Sequence, residues 1–295
     1  MGIAFDASGS LFAVVAGSAT IVKIDPSGNV SPFANSGMVF PAGLAIDRDG
    51  NVYVSDVSTN SIIRFTPDGA GAVFATQGLV NPHGLAFDRE RNLFVANWGA
   101  NNILKITPDG SSSVFASGYL DAPWALAFDR LGRLYVTNSN NSVSDDRIVC
   151  FDESGNPSLF RSGIKAGRGL AFDSHSALYA ANLSPTELDR FDASGKKSIV
   201  TSGSALDTPV FIVVKPDIPP PQISAIEMVA GAPRVTFTST TTSGYRAEFC
   251  DDLGRASWTA IPGASDISGT GGPISFSDAN GTNLAKRYYR VVTLP

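Results

Sequence analysis

One phrase is written five times along this chain, and that repetition limits its fold more than any other feature. The clearest copy is Asn81 to Asn97, NPHGLAFDRERNLFVAN. It opens on a Pro-x-Gly turn, runs an apolar stretch through Leu85 to Phe87, turns a polar corner at Asp88 to Asn92, and ends on a second apolar stretch from Leu93. Two short runs rich in β-branched and aromatic residues, joined by a tight polar turn, predict a hairpin. The copies start at Gly2, Gly43, Gly84, Ala125 and Gly169, spaced 41, 41, 41 and 44 residues apart. A period near 40 residues makes each copy one unit of a repeat architecture.

The second half of every unit repeats as well. Thr66-Pro67-Asp68-Gly69 and Thr107-Pro108-Asp109-Gly110 are turns, with looser versions at Asp25 to Gly28, Asp152 to Gly155 and Asp192 to Gly195. Pro presets φ and Gly supplies φ > 0 at such corners. Each turn follows a third strand and precedes a fourth, which carries Phe33, Phe74, Phe115, Phe160 or Val200. No segment has the i, i+3, i+4 pattern of a helix. Four short strands per period predict an all-β chain of propeller blades.

The WD dipeptide is absent. The motif Pro-x-Gly-Leu-Ala-Phe-Asp followed by Leu-Phe-Val-Ala-Asn resembles the NHL-repeat family and its relatives, the streptogramin (virginiamycin B) lyases and the SMP-30/gluconolactonase-like propellers. The resemblance covers roughly residues 2 to 214 and speaks for the fold. A sixth unit begins at Phe211-Ile212-Val213-Val214, which aligns with Gly84 to Phe87, and stops after one strand. Five blades and one extra strand fit either a five-bladed ring or a six-bladed ring whose last blade is completed by strands upstream of Met1, and ring closure by pairing of terminal strands favours the six-bladed alternative because a lone strand leaves unpaired edges.

Three regions are expected: a propeller over 1–214, a stiff Pro-rich linker over 215–222 (KPDIPPPQ), and a small β-sandwich over 223–295. Six strand candidates in the last region lie at sandwich spacing, at 223–229, 234–238, 245–249, 258–261, 274–276 and 287–292. The frame YRAEFCDDLGRASWTAIPG followed by RYYRVV resembles the Ig- or fibronectin-III-like module that ends many large secreted bacterial proteins. Such modules space, anchor or display the domain before them. Trp258 is expected in its core. At the other end, Met1 is followed at once by an inner-type strand with no signal peptide. That start reads as an N-terminal truncation of a secreted precursor or as a native internal start, and an extracellular location is expected from the modules.

The net charge of −5 gives no basic stripe for a phosphate backbone, so nucleic acid is not expected as a partner. No apolar run approaches the 18 or so residues of a membrane span. HExxH, CxxC, Gly-x-Ser-x-Gly and Walker motifs are absent. Cys150 stands at the third-strand place of Lys23, Arg64 and Lys105. Its only possible disulfide partner, Cys250, lies in the other module, so no disulfide is expected.

Propeller ligands sit over the channel mouth, where the loops entering the innermost strands meet those between second and third strands. The x of each Pro-x-Gly turn forms a ring there: Ala42, His83, Trp124, Arg168 and Val210. The ends of the second strands add Val15, Asp56, Asn97, Asn138 and Asn182, with Trp98 beside them. In gluconolactonase-like propellers the turn positions carry metal-binding carboxylates and amides; the side chains here assemble no hard-cation site, so no metal is expected. Resemblance to the streptogramin lyases implies a different use: His83 as base, with Asp56 as its acidic partner and Mg²⁺ or Ca²⁺ as cofactor. His83 is equally a turn cap. His175, in an opposite-face corner, reads as a solvated turn, and so does Asp47-Arg48-Asp49-Gly50. Trp98, Trp124, His83 and Arg168 together offer stacking faces and a carboxylate fork, or they fill space between blades. Asn97 and Asn138 are counted among the ligand contacts, and the whole second-strand set Asp56, Asn97, Asn138 and Asn182 also as braces for loop backbone.

Three functions follow. The first is a secreted, non-enzymatic propeller that binds a protein, peptide or glycan, with the terminal sandwich as spacer or anchor. The second is a streptogramin-lyase-like or other propeller lyase or hydrolase using His83. The third is a structural protein that assembles by strand addition to its open blade.

Overall fold

Every strand of the repeat pairs antiparallel with the strand next to it in sequence. The first blade is β1 (Ile3–Phe5), β2 (Leu11–Val15), β3 (Thr20–Ile24) and β4 (Val30–Ala34); the second is β5 (Pro41–Ile46), β6 (Val52–Asp56), β7 (Ser61–Phe65) and β8 (Gly71–Ala75). The third is β9 (Pro82–Phe87), β10 (Leu93–Asn97), β11 (Asn102–Ile106) and β12 (Ser112–Ala116). The fourth is β13 (Pro123–Phe128), β14 (Leu134–Asn138), β15 (Arg147–Phe151) and β16 (Pro157–Ser162); the fifth is β17 (Gly167–Phe172), β18 (Leu178–Leu183), β19 (Thr186–Phe191) and β20 (Lys197–Ser202). The computed structural model describes residues 2–138, 147–164, 167–183, 186–202, 211–215, 222–229, 232–239, 244–251, 258–265, 267–280 and 287–294. Among them the only helical turn is the short 3₁₀ segment Trp98–Ala100. The chain is an all-β protein built on a β-propeller.

Many of the corners are tight because an aspartate closes them, whereas Thr66 and Thr107 stand at that place in two others. In Asp25, Asp47, Asp129, Asp152, Asp173 and Asp192 a single carboxylate oxygen accepts the backbone N–H groups two and four residues on. Such an Asx arrangement satisfies donors that no ladder reaches.

Alternation along the strands sends side chains to both faces of each blade, and both faces are apolar. Between the second and third blades lie Tyr53 and Ile62 on one side and Leu93, Val95 and Ile106 on the other. Between the third and fourth lie Phe94 and Ile103 against Leu134, Val136 and Phe151. Burying each Leu, Ile or Phe contributes roughly 1.5–3 kcal/mol. An aromatic trio recurs at the interfaces. Tyr53 meets Phe74 and Phe87 edge-on at 5.1 and 5.0 Å, Phe94 meets Phe115 and Phe128 at 4.9 and 5.0 Å, and Tyr135 meets Phe160 and Phe172 at 5.1 and 5.0 Å.

The inner strands approach closely. A Cβ on Gly43 would lie 2.1 Å from the His83 carbonyl oxygen, and one on Gly84 would lie 2.4 Å from that of Trp124. Glycine is required there because the next inner strand's backbone fills the side chain's place. Inner strands follow one another as β1, β5, β9, β13 and β17. Past β17 the neighbour is Phe211–Ile212, whose backbone lies 2.9–3.1 Å from the Cβ position of Gly169. Residues 211–215 thus take the sixth inner position, in no strand ladder. The channel is a cavity of about 360 Å³ lined by these inner segments, including Leu44, Leu85, Leu126, Leu170 and Phe211.

Packing divides the chain into a unit over Met1–Pro216 and a unit over Asp217–Pro295. The second holds two antiparallel sheets. One is β21 (Ile223–Val229), β22 (Ala232–Thr238) and β26 (Pro273–Ser277); the other is β23 (Gly244–Cys250) with β24 (Thr259–Ala260), β25 (Ile267–Ser268) and β27 (Tyr288–Leu294). The two-residue β25 is absent from the sequence expectation, being too short to show alternation. Phe237, Tyr245, Ala247 and Ile261 are buried. Trp258, expected in the core, is instead half-buried with the Arg290 guanidinium 4.3 Å above its ring. Both cysteines are buried and free of disulfides.

Candidate functional site

Three turn positions on successive blades form a continuous stack at the channel mouth. His83 opens the third blade's inner strand, Trp124 the fourth's and Arg168 the fifth's. The His83 and Trp124 rings stack with centroids 3.9 Å apart and planes 25° apart. The Arg168 guanidinium lies 4.0 Å from the Trp124 ring centre. Trp98, in the 3₁₀ turn after β10, meets His83 edge-on at 6.0 Å. Four of the expected site residues, Trp98, His83, Trp124 and Arg168, therefore form one cluster, in which the close approach of inner strands brings the turn positions of His83, Trp124 and Arg168 within contact distance.

Within the cluster exposure differs sharply. His83 is 8% exposed, whereas Trp98 is 37% exposed and Trp124 and Arg168 are partly open. The Nδ1 of His83 and the Nε1 of Trp124 are buried without a hydrogen-bond partner. Burial pulls the His83 pKa down to about 4, with the positive charge of Arg168 adding to it. The imidazole is neutral at physiological pH. Its position is set by Ser55, whose hydroxyl accepts from the Gly43 N–H at 2.8 Å and donates to the His83 carbonyl at 2.6 Å.

Asp56 does not face His83. Its fully buried carboxylate accepts backbone N–H groups from Val39 at 2.5 Å, Phe40 at 3.2 Å, and Ser58 and Thr59 at 3.1 Å. Asn97 is equally committed: its oxygen accepts from the Val80 N–H at 2.6 Å, and its amide donates to the Gly78 carbonyl and the Asn102 side chain. Asn138 donates to the Tyr119 carbonyl at 2.6 Å. These second-strand ends brace loop backbone. Ala42 is buried, Val15 is 38% exposed, and Val210 lies outside the described residues. His175 bonds Ser174 in an exposed corner on the opposite face.

Two features escaped the sequence reading. Asn60 and Asn101, 41 residues apart and both at positive φ, accept the backbone N–H groups of Asn81 and Ala122 in the following blades. They pin the loops that carry His83 and Trp124, and their common spacing was the available signal. Asp189 stands in the third-strand place of Val22, Ile63, Leu104 and Val149, fully buried, with Lys197 Nζ at 2.8 Å and the Asn182 amide at 2.8 Å. An acid in an apolar column marked it. Among the described residues no three His, Cys, Asp or Glu side chains are grouped to hold a metal ion, and no helix is long and apolar enough to cross a membrane.

Residues 36–140 match the model of the SMP-30/gluconolactonase/LRE-like region. No curated protein sequence matches the chain. Among solved structures it is similar to the virginiamycin B lyase of Staphylococcus aureus, at TM-score 0.58 and 19% identity over 80% of this chain and 76% of that one. It is also similar to a chain of a nidogen/laminin complex, at TM-score 0.60 and 21% identity over 67% and 77%. A third is the PQQ-bound aldose sugar dehydrogenase of Streptomyces coelicolor, at TM-score 0.60 and 17% identity over 82% and 88%. Likeness at these identities shows a shared propeller fold.

Proposed function

We propose that this chain is an extracellular, non-enzymatic propeller module that binds a peptide, protein or glycan ligand at the channel mouth through Trp98, Trp124 and Arg168, with the C-terminal unit as spacer or anchor. The observation that carries this reading is the stack itself: the partly exposed Trp98 indole stands against the edge of a neutral, buried His83, which stacks on Trp124, and the Arg168 guanidinium lies against the Trp124 ring. Aromatic faces take sugars and apolar side chains, and a guanidinium edge adds a fork for a carboxylate. A chain of a nidogen/laminin complex has a similar fold, so a propeller of this shape is compatible with a binding role.

The lyase reading ranks second, favoured by a histidine at the mouth of a fold shared with virginiamycin B lyase. Against it stand the low basicity of His83, its enclosed Nδ1 and the commitment of Asp56 to loop backbone. A base that loses its proton near pH 4 is poorly matched to abstracting one near neutrality.

The test is a titration with uronate and neutral oligosaccharides and with short peptides, followed by tryptophan fluorescence. The expected result is saturable quenching by one class, weakened about tenfold in Trp98→Ala and in Arg168→Ala. Quenching that is indifferent to both substitutions, or none at all, overturns the reading.

A further inference from the structure

On the face opposite the channel mouth, where the corners between first and second strands gather, three of the gaps between blades open into pockets. Equivalent residues line them. Each has an aromatic trio for a floor: Tyr53, Phe74 and Phe87 between the second and third blades, Phe94, Phe115 and Phe128 between the third and fourth, and Tyr135, Phe160 and Phe172 between the fourth and fifth. Their sizes differ. The first and last measure about 250 and 210 Å³, and the middle one about 570 Å³.

Both smaller pockets hold a guanidinium from a corner. Between the second and third blades, Arg91 reaches back to Asp49 and forms part of the pocket wall. Between the fourth and fifth, Arg133 bonds Asp129 at 2.7 Å and lies 5.7 Å from the centre of the Tyr135 ring. Between the third and fourth, the place of Arg91 falls to Gly132, which has no side chain, and the place of Asp49 falls to Glu90. Arg91 and Gly132 share a left-handed backbone, at φ 71° and 79°, so the two corners differ there in side chain and not in path.

Most charges around the middle pocket are already engaged. Lys105 faces Asp88 at 3.9 Å, Arg89 donates to the Arg130 carbonyl, and Asp129 is held by Arg133. Glu90, Glu153 and Arg48 remain, and none of them makes a hydrogen bond or ion pair among the described residues. The Glu153 carboxylate lies 3.0 Å from where a Cβ on Gly132 would stand, at the root of the missing side chain. Two carboxylates against one guanidinium leave a negative rim over four phenylalanine rings, with Phe87 beside the trio.

We propose that this pocket binds a small organic cation, a guanidinium or amidinium on an apolar stem, which does for the third and fourth blades what Arg91 does for the second and third. The stem lies against the phenylalanine rings, and the head meets Glu90 and Glu153. Pockets for small molecules run from about 300 to 1,000 Å³. A planar cation gains from aromatic faces, and a carboxylate receives its N–H groups in paired, charge-assisted hydrogen bonds. The site is on the other face from the stack at the channel mouth and does not depend on the function proposed for that stack.

The probe is benzamidine, titrated calorimetrically into the whole protein beside its uncharged and anionic counterparts, benzamide and benzoate. The expected result is saturable one-to-one binding of benzamidine alone. Gly132→Arg, which restores the missing side chain, is expected to weaken it at least about tenfold, and Glu90→Gln about three- to tenfold. The new arginine enters at a φ that Arg91 already holds, and its Cβ meets only the Glu153 side chain, so a folded variant with an unchanged far-UV circular dichroism spectrum is expected. Should it not fold, Glu90→Gln, at an exposed position, decides the matter. No binding of benzamidine, equal binding of benzamide, preference for benzoate, or indifference to either substitution overturns the proposal.

Discussion

His83 is a buried base whose charged form the protein penalises. Its folded pKa is depressed to about 4 from an ordinary value near 6.5, so between those values the unfolded chain binds a proton that the folded chain refuses. Stability is thus unaffected by this group above about pH 6.5 and falls as pH drops through the window to 4, by about 3 kcal/mol in all. Denaturant unfolding measured from pH 7 to pH 4 checks this, and His83→Phe should remove the part of the slope that it supplies. Asp56 shows how far a residue's type is from its role. As the acidic residue among the second-strand ends it was the natural partner for His83, and the sequence placed it on the correct rim. Only the fold reveals that Val39, Phe40, Ser58 and Thr59 turn their N–H groups into it. The stack of His83, Trp124 and Arg168 was legible as a ring of turn positions, because the repeat period assigns them equivalent places. Asp189 was not, because it lies in mid-strand, away from the strand ends that the repeat places at the channel mouth.

At the scale of strands and turns, the glycine that follows the x position in three of the blades, Gly43, Gly84 and Gly169, sets how closely neighbouring inner strands approach. Gly84→Ala would set a methyl 2.4 Å from the Trp124 carbonyl, a contact that requires two inner strands to separate. The expected cost is about 2–4 kcal/mol, read as a lower denaturation midpoint, together with loss of the His83–Trp124 stacking as changed near-UV circular dichroism. The fourth blade accepts Ala125 at the same place, so the requirement belongs to particular pairs of strands and not to the motif. Strand limits and corners were readable from period-2 alternation and from the Asp and Gly of each turn. The two-residue β25 and the reach of Asn60 and Asn101 into the next blade were not, since neither leaves a mark on hydrophobic periodicity.

At the scale of the molecule, the two packing units each hold a core of their own, one in the blade interfaces and one around Phe237, Tyr245 and Ile261. Units of this kind unfold as separate cooperative blocks. Differential scanning calorimetry should therefore show two transitions, and proteolytic cleavage within the Pro-rich 215–222 should leave the upper and lower midpoints where they were. A single transition that follows the cut downward would contradict it. The sequence by itself determined the blade: its four strands, its corners, its period, and the residues that reach the channel mouth, because each depends on local pattern repeated every 41 or 44 residues. Tertiary structure alone decided which of those residues remain available. Burial and hydrogen-bond partners come from neighbouring blades, and so Asp56 and Asn97 are consumed and Trp98 stays open.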